Sequence, residues 1–173
     1  FSGGVAGSAG VPAEQLAERG ARVAVVVDPD ARVREDGRML VLRADPEDPG
    51  AMRDAVAAAR GAFGALHGVV HTLMADADPE RVARALAALD DATAELPLDF
   101  RLVQGSIESV IGGAGEADAL AALALVDAWA QRRCAADGVR WTAVAWDRWH
   151  LDGDPDDADA GILRADAGRA LEA

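Results

Sequence analysis

Short apolar runs alternate with longer stretches of helical spacing along this chain. The run at 21–27 (ARVAVVV) is rich in β-branched residues and predicts a strand buried on both faces. Met39–Arg43, 68–71 (GVVH), 100–103 and 140–146 (RWTAVAW) predict further strands. Between them lie helical patterns. One spans 11–19, with Pro12 in its first turn and Gly20 as its stop. Pro49–Phe63 carries Met52, Val56, Ala59 and Phe63 at helical spacing, and 79–95 carries Val82, Leu86 and Leu89. The segment 102–127 reads as a strand end, a loop of small residues and a long helix. The stretch 152–159 is acidic and turn-rich, and 162–172 is expected to close with a short helix. Strands alternating with helices predict an α/β fold, a Rossmann-like doubly wound parallel sheet with helices on both faces.

Composition narrows the function. At 173 residues the chain fits a single domain over 1–173, long enough to bury a core. The formal net charge is −13 with no basic tract, which argues against nucleic acid. No apolar run reaches the length of a membrane span, and no signal peptide is readable. The single cysteine, Cys134, rules out a disulfide within the chain and fits a reducing cytosol. His67, His71 and His150 show no metal-ligand spacing with Cys134, so no metal site is expected. Lysine, tyrosine and asparagine do not occur, so neither a lysine Schiff base nor a phenolic proton donor is available.

Phe1-Ser2-Gly3-Gly4 is a glycine turn of the kind that normally follows a strand. The expectation is that a first strand lies upstream and that the chain is a piece of a longer polypeptide. Ser106 is followed by Gly112, Gly113 and Gly115 and then by a helix. FGALHGVVH at 63–71, the acidic DPEDP at 45–49, LDF at 98–100 and WDRW at 146–149 occur in order around it. Together these motifs resemble ketoreductase domains of modular polyketide synthases, a branch of the short-chain dehydrogenase/reductase family. The likeness runs from Ser2 to about Leu171.

The resemblance implies a site, and the residues at its places depart from the family pattern. The family's catalytic tyrosine falls thirteen residues after the serine, where this chain has Ala119, and the helix asparagine falls at Leu123. If Leu89 ends the family's VxGxxxL motif, the lysine place is Val82. Ser106 alone is retained. For the nucleotide loop the resemblance aligns Gly3, Gly4 and Gly7, with Ala6 and Ala9 in two glycine places; a one-residue gap would instead bring Gly7 and Gly10 into register. A Cβ at such a place obstructs the phosphate. Asp28, followed by Pro29 and Asp30, stands where NADPH-dependent members carry a basic residue, and it also suits a polar turn. Asp45 matches the residue that contacts adenine in the family. Leu73 and Met74 would crowd the ribose place, and His71 reads as a satisfied strand residue rather than a base. Arg81, beside the lysine place, reads as a solvated helix residue.

In active relatives hydride from NADPH reduces a ketone while the tyrosine protonates the alkoxide. Loss of a positioned general acid alone costs on the order of 10²–10⁴ in rate. The expectation is therefore a ketoreductase-like domain that is not an enzyme and takes no cofactor. It would be retained to pack against neighbouring domains of its synthase, with an acyl carrier protein as a further implied partner. The alternative is residual epimerase or NAD(P)-binding activity on a carrier-bound β-ketoacyl thioester.

Overall fold

The computed structural model describes residues 10–27, 39–72, 78–111, 117–137, 141–146, 149–150 and 162–163. In chain order these form α1 (Gly10–Glu18), β1 (Val23–Val27), β2 (Met39–Arg43), α2 (Pro49–Phe63), β3 (Gly68–Thr72) and α3 (Pro79–Thr93). There follow β4 (Phe100–Ser106), α4 (Glu108–Ile111), α5 (Ala117–Asp137), β5 (Trp141–Trp146), β6 (Trp149–His150) and β7 (Ile162–Leu163). Every described strand pairing is parallel. Val25 of β1 sits opposite Val41 of β2. His71 of β3 sits opposite Val103 of β4, and Ser106 of β4 opposite Trp146 of β5.

The helix ends follow from local chemistry. α2 and α3 both begin with Asp-Pro. Asp48 Oδ1 accepts from the Gly50 and Ala51 amides at 2.7 and 3.3 Å, and Asp78 Oδ1 accepts from Glu80 at 3.2 Å. Each proline then occupies the first turn, where its missing N–H costs nothing. α1 stops at Gly20, whose φ of +91° lets the Gly20 amide reach the Ala17 carbonyl and the Ala21 amide reach Leu16. This double bond satisfies carbonyls that the helix leaves open. At the far end of α3, the buried Arg101 donates to the Thr93 carbonyl at 3.0 Å, placing a cation on the negative helix terminus.

Two apolar clusters show that the sheet is covered on both sides. Val23 and Val25 pack with Ala13, Leu16 and Ala17 of α1. Val26, one residue out of phase, packs with Met52 of α2, Leu86 of α3 and Val126 of α5. Neighbouring strand residues point to opposite faces, so α1 lies on one side and α2, α3 and α5 on the other. The doubly wound α/β expectation is met.

Several details differ from expectation. On α2 the fully buried residues are Met52, Ala55 and Ala59, while Val56 and Phe63 are half-buried. β4 runs on to Ser106, because its pairing with β5 continues to Trp146. A one-turn helix, α4, interrupts the expected loop. Ile162–Leu163 pairs with β6 as a strand, where a helix was expected.

Candidate functional site

In open parallel sheets, ligands bind beyond the carboxyl ends of the strands. Ser106 occupies such a place as the last residue of β4. Its Oγ accepts from the Glu108 amide at 3.2 Å, and the Ile107 amide donates to the Trp146 carbonyl at 2.8 Å. Beyond it, Ser109 of α4 donates through Oγ to Asp127 Oδ2 of α5 at 2.9 Å. That bond ties the short helix to the long one. Neither serine has a histidine partner in the described contacts, and a hydroxyl without a base is a weak nucleophile.

Ala119 and Leu123 lie four residues apart on α5, so they share one row of the helix, and Asp127 continues that row. Both are half-buried. In the places that the resemblance assigns to a tyrosine and an asparagine, this row carries a methyl and an isobutyl group, which neither donate nor accept a proton. Val82, which takes the lysine place if Leu89 ends the family motif, is 4% exposed and belongs to the main core cluster with Leu86 and Leu89.

His71 is buried in β3, and burial pushes its pKa down to about 4. An imidazole held neutral in this way belongs to the core, as the reading from sequence expected. Asp45 is exposed just past β2, and its Oδ1 accepts from the Glu47 amide at 2.9 Å. Its neighbours in the acidic motif serve the fold: Asp48 caps α2, and Glu47 bridges to α3. Arg81 and Arg84 both pair with Glu47, the latter at 2.9 Å, and the bond from Arg81 holds the carboxyl below its ordinary value. The description of Arg81 as merely solvated is thus corrected. Nothing in the spacing signalled this bridge, which joins residues 34 and 37 positions apart. The Ser109–Asp127 bond was also missed; its one signal was that Asp127 continues the row of Ala119 and Leu123.

Gly3, Gly4, Ala6, Gly7, Ala9, Asp28, Asp30, Leu73, Met74, Gly112, Gly113 and Gly115 lie outside the described residues. Among the described residues, no group of histidine, cysteine or acidic side chains could hold a metal ion, and no helix is long and apolar enough to cross a membrane. Ala119 and Val82, which the resemblance sets in the acid and lysine places, are a methyl and a buried isopropyl group and do not supply the polar groups a nicotinamide reductase uses there.

The KR domain family matches residues 1–151. The chain belongs to this family and is a ketoreductase domain of the polyketide synthase type, within the short-chain dehydrogenase/reductases. It is 35% identical over 146 residues to the polyketide synthase GfsA of Streptomyces halstedii, covering 69% of this chain and 2% of that protein. It is 33% identical over 196 residues to GfsB of the same organism, covering 98% of this chain and 4% of that one. Among solved structures, the ketoreductase domain from the bacillaene assembly line superposes with a TM-score of 0.79 at 21% identity, covering 98% of this chain and 51% of that one. The ketoreductase PlmKR1 from the first module of phoslactomycin biosynthesis in Streptomyces sp. HK803 gives 0.72 at 27% identity, covering 99% and 48%.

Proposed function

We propose that this ketoreductase domain does not reduce a ketone and is retained for its fold, packing against neighbouring parts of a polyketide synthase. The observation that carries the reading is the row on α5 together with Val82. Three places that the resemblance assigns to an acid, an asparagine and a lysine hold Ala119, Leu123 and Val82, and the last is 4% exposed in the core. A lysine there would have to bring its charge into apolar surroundings. Ser106 keeps its hydroxyl, but a carbonyl held by that hydroxyl has no proton donor at residue 119.

The test is titration of the purified domain with NADPH and with NADH, followed by nicotinamide fluorescence. No saturable change is expected. Binding of NADPH in the micromolar range would overturn the reading. Incubation with an α-deuterated β-ketoacyl thioester on an acyl carrier protein tests the epimerase alternative. Deuterium loss is expected to equal the protein-free control, and faster loss would favour a residual enzyme.

A further inference from the structure

α4 stands at the carboxyl end of β4 and has no share in the core. None of its four residues is buried, and Val110 and Ile111 are 74% and 72% exposed. Neither apolar cluster contains any of them. A single turn does not hold itself together, since helices shorter than about 12 residues are marginal in water. The order of α4 therefore comes from its ties. The Val110 and Ile111 amides donate to the Ile107 carbonyl at 2.9 and 3.0 Å, and the Ile107 amide donates to the Trp146 carbonyl of β5 at 2.8 Å. At its first residue, the Glu108 amide donates to Ser106 Oγ. Among the described contacts, the side-chain bond that joins α4 to another element is the one from Ser109 Oγ to Asp127 Oδ2 of α5.

We propose that α4 is a flap latched by Ser109 and Asp127. It opens from the body of the domain as a unit while the sheet and core stay folded, and the latch sets how often it does so. Three observations carry this. First, α4 buries no apolar side chain, so its departure forfeits little packing, and segments of that kind supply the local openings of folded proteins. Second, the latch has a carboxylate as its acceptor, and such a bond is stronger than one between neutral groups. In an element without buried area it is the largest single contribution to closure. Third, Asp127 is fixed from the other side. It lies next to Val126, which is 0% exposed in the core, so α5 holds the acceptor still while α4 moves. The opening has a consequence at the carboxyl end of the sheet. The Glu108 amide leaves with α4, so Ser106 Oγ loses its donor and becomes open to approach. Asp127 thus acts on Ser106 through α4 without touching it, as a positioning residue. The inference stands whether or not the domain reduces a ketone.

The test is native-state hydrogen exchange on the chain, on Ser109→Ala, on Asp127→Ala and on the double variant, in rising urea below the unfolding transition. The flap is read at the amides of Glu108, Val110 and Ile111, and the core at those of Val103 and Val126. In the unaltered chain the flap amides are expected to be protected and to exchange at a rate independent of urea. The core amides should speed up with urea, because their opening exposes the interior. Each single variant is expected to speed the flap amides at least about tenfold, the scale of a hydrogen bond to a charged group. The double variant should be no faster than either single one within about twofold, since both remove the same bond. Flap amides that follow the core's urea dependence would overturn the proposal, because α4 would then open only with the whole domain. So would flap amides without protection in the unaltered chain, either single variant leaving them unchanged, or a double variant as fast as the product of the two single effects.

Discussion

Two neighbouring rows of α5 have fared differently. Ala122, Val126 and Ala130 form one row, at 2%, 0% and 2% exposure, packed into the core beside Leu86 and Val103. Ala119, Leu123 and Asp127 form the other row, whose first two members stand in the places that the resemblance assigns to the tyrosine and the asparagine. The first row has what packing demands: small residues where helices come close, and a valine where there is room. In the second row only Asp127 makes a described polar contact, and that contact joins α4 to α5. Under the proposed function the helix keeps its packing row while the other row lacks reagents, because different residues answer to packing and to chemistry.

The sharpest way to break this comparison is to restore a reagent where packing has taken over. Val82→Lys puts the family's charge back into the core, one turn from the positive amino end of α3. We expect a destabilisation on the order of 3–5 kcal/mol, the cost of an uncompensated buried charge. The midpoint of urea unfolding measures it. A loss below about 1 kcal/mol would mean that residue 82 opens onto a solvated site, and the packing account would fail.

His71 gives the next effect, from a residue that looks chemical and behaves as core. Its pKa falls from 6.5 to about 4 on folding because burial disfavours the imidazolium. The unfolded chain therefore takes up a proton between those values while the folded one does not. Stability is complete above pH 6.5, declines as pH falls toward 4, and has then lost roughly 3 kcal/mol through this group. Glu47 acts in the same direction at lower pH. Its carboxyl is held below its ordinary value by Arg81, so its contribution is present above about pH 4.5 and is lost as pH falls further. Comparison with His71→Gln isolates the histidine: the difference in pH dependence between 6.5 and 4 should disappear in the variant. A histidine that still titrates near 6.5 by NMR would show it is solvated.

Much of the fold was legible because each signal had one cause. The valine run of β1, the helical spacing of Val82, Leu86 and Leu89, and the stop at Gly20 all appear where the sequence placed them. The face of α5 was not legible. Of its small apolar residues Ala117, Ala121 and Ala124 are exposed, while the fully buried row is Ala122, Val126 and Ala130. Alanine and leucine recur on every side of this helix, so periodicity could not choose a stripe. The bridge from Glu47 to Arg81 and Arg84 was hidden for another reason: it depends on how α2 and α3 meet, which no local pattern encodes. At the site, Ala119 and Leu123 were found through family spacing alone, since an alanine and a leucine carry no chemical signal of their own.

The smallest expected effect tests the second row directly. Ala119→Tyr restores the proton donor at a half-buried position of α5 and leaves Leu123 and Val82 unchanged. A general acid contributes on the order of 10²–10⁴ in rate when it is positioned and its pKa is tuned toward the working pH. Here neither condition is met. No lysine stands at residue 82 to lower the phenol from its usual pKa of about 10, and the place of the asparagine is alkyl. We expect NADPH consumption with a β-ketoacyl thioester to remain at the level of the unaltered chain, with stability changed by less than about 1 kcal/mol. Formation of the β-hydroxy product above that level would show that a single side chain separates the domain from activity, and the difference between the two rows of α5 would then reduce to residue 119.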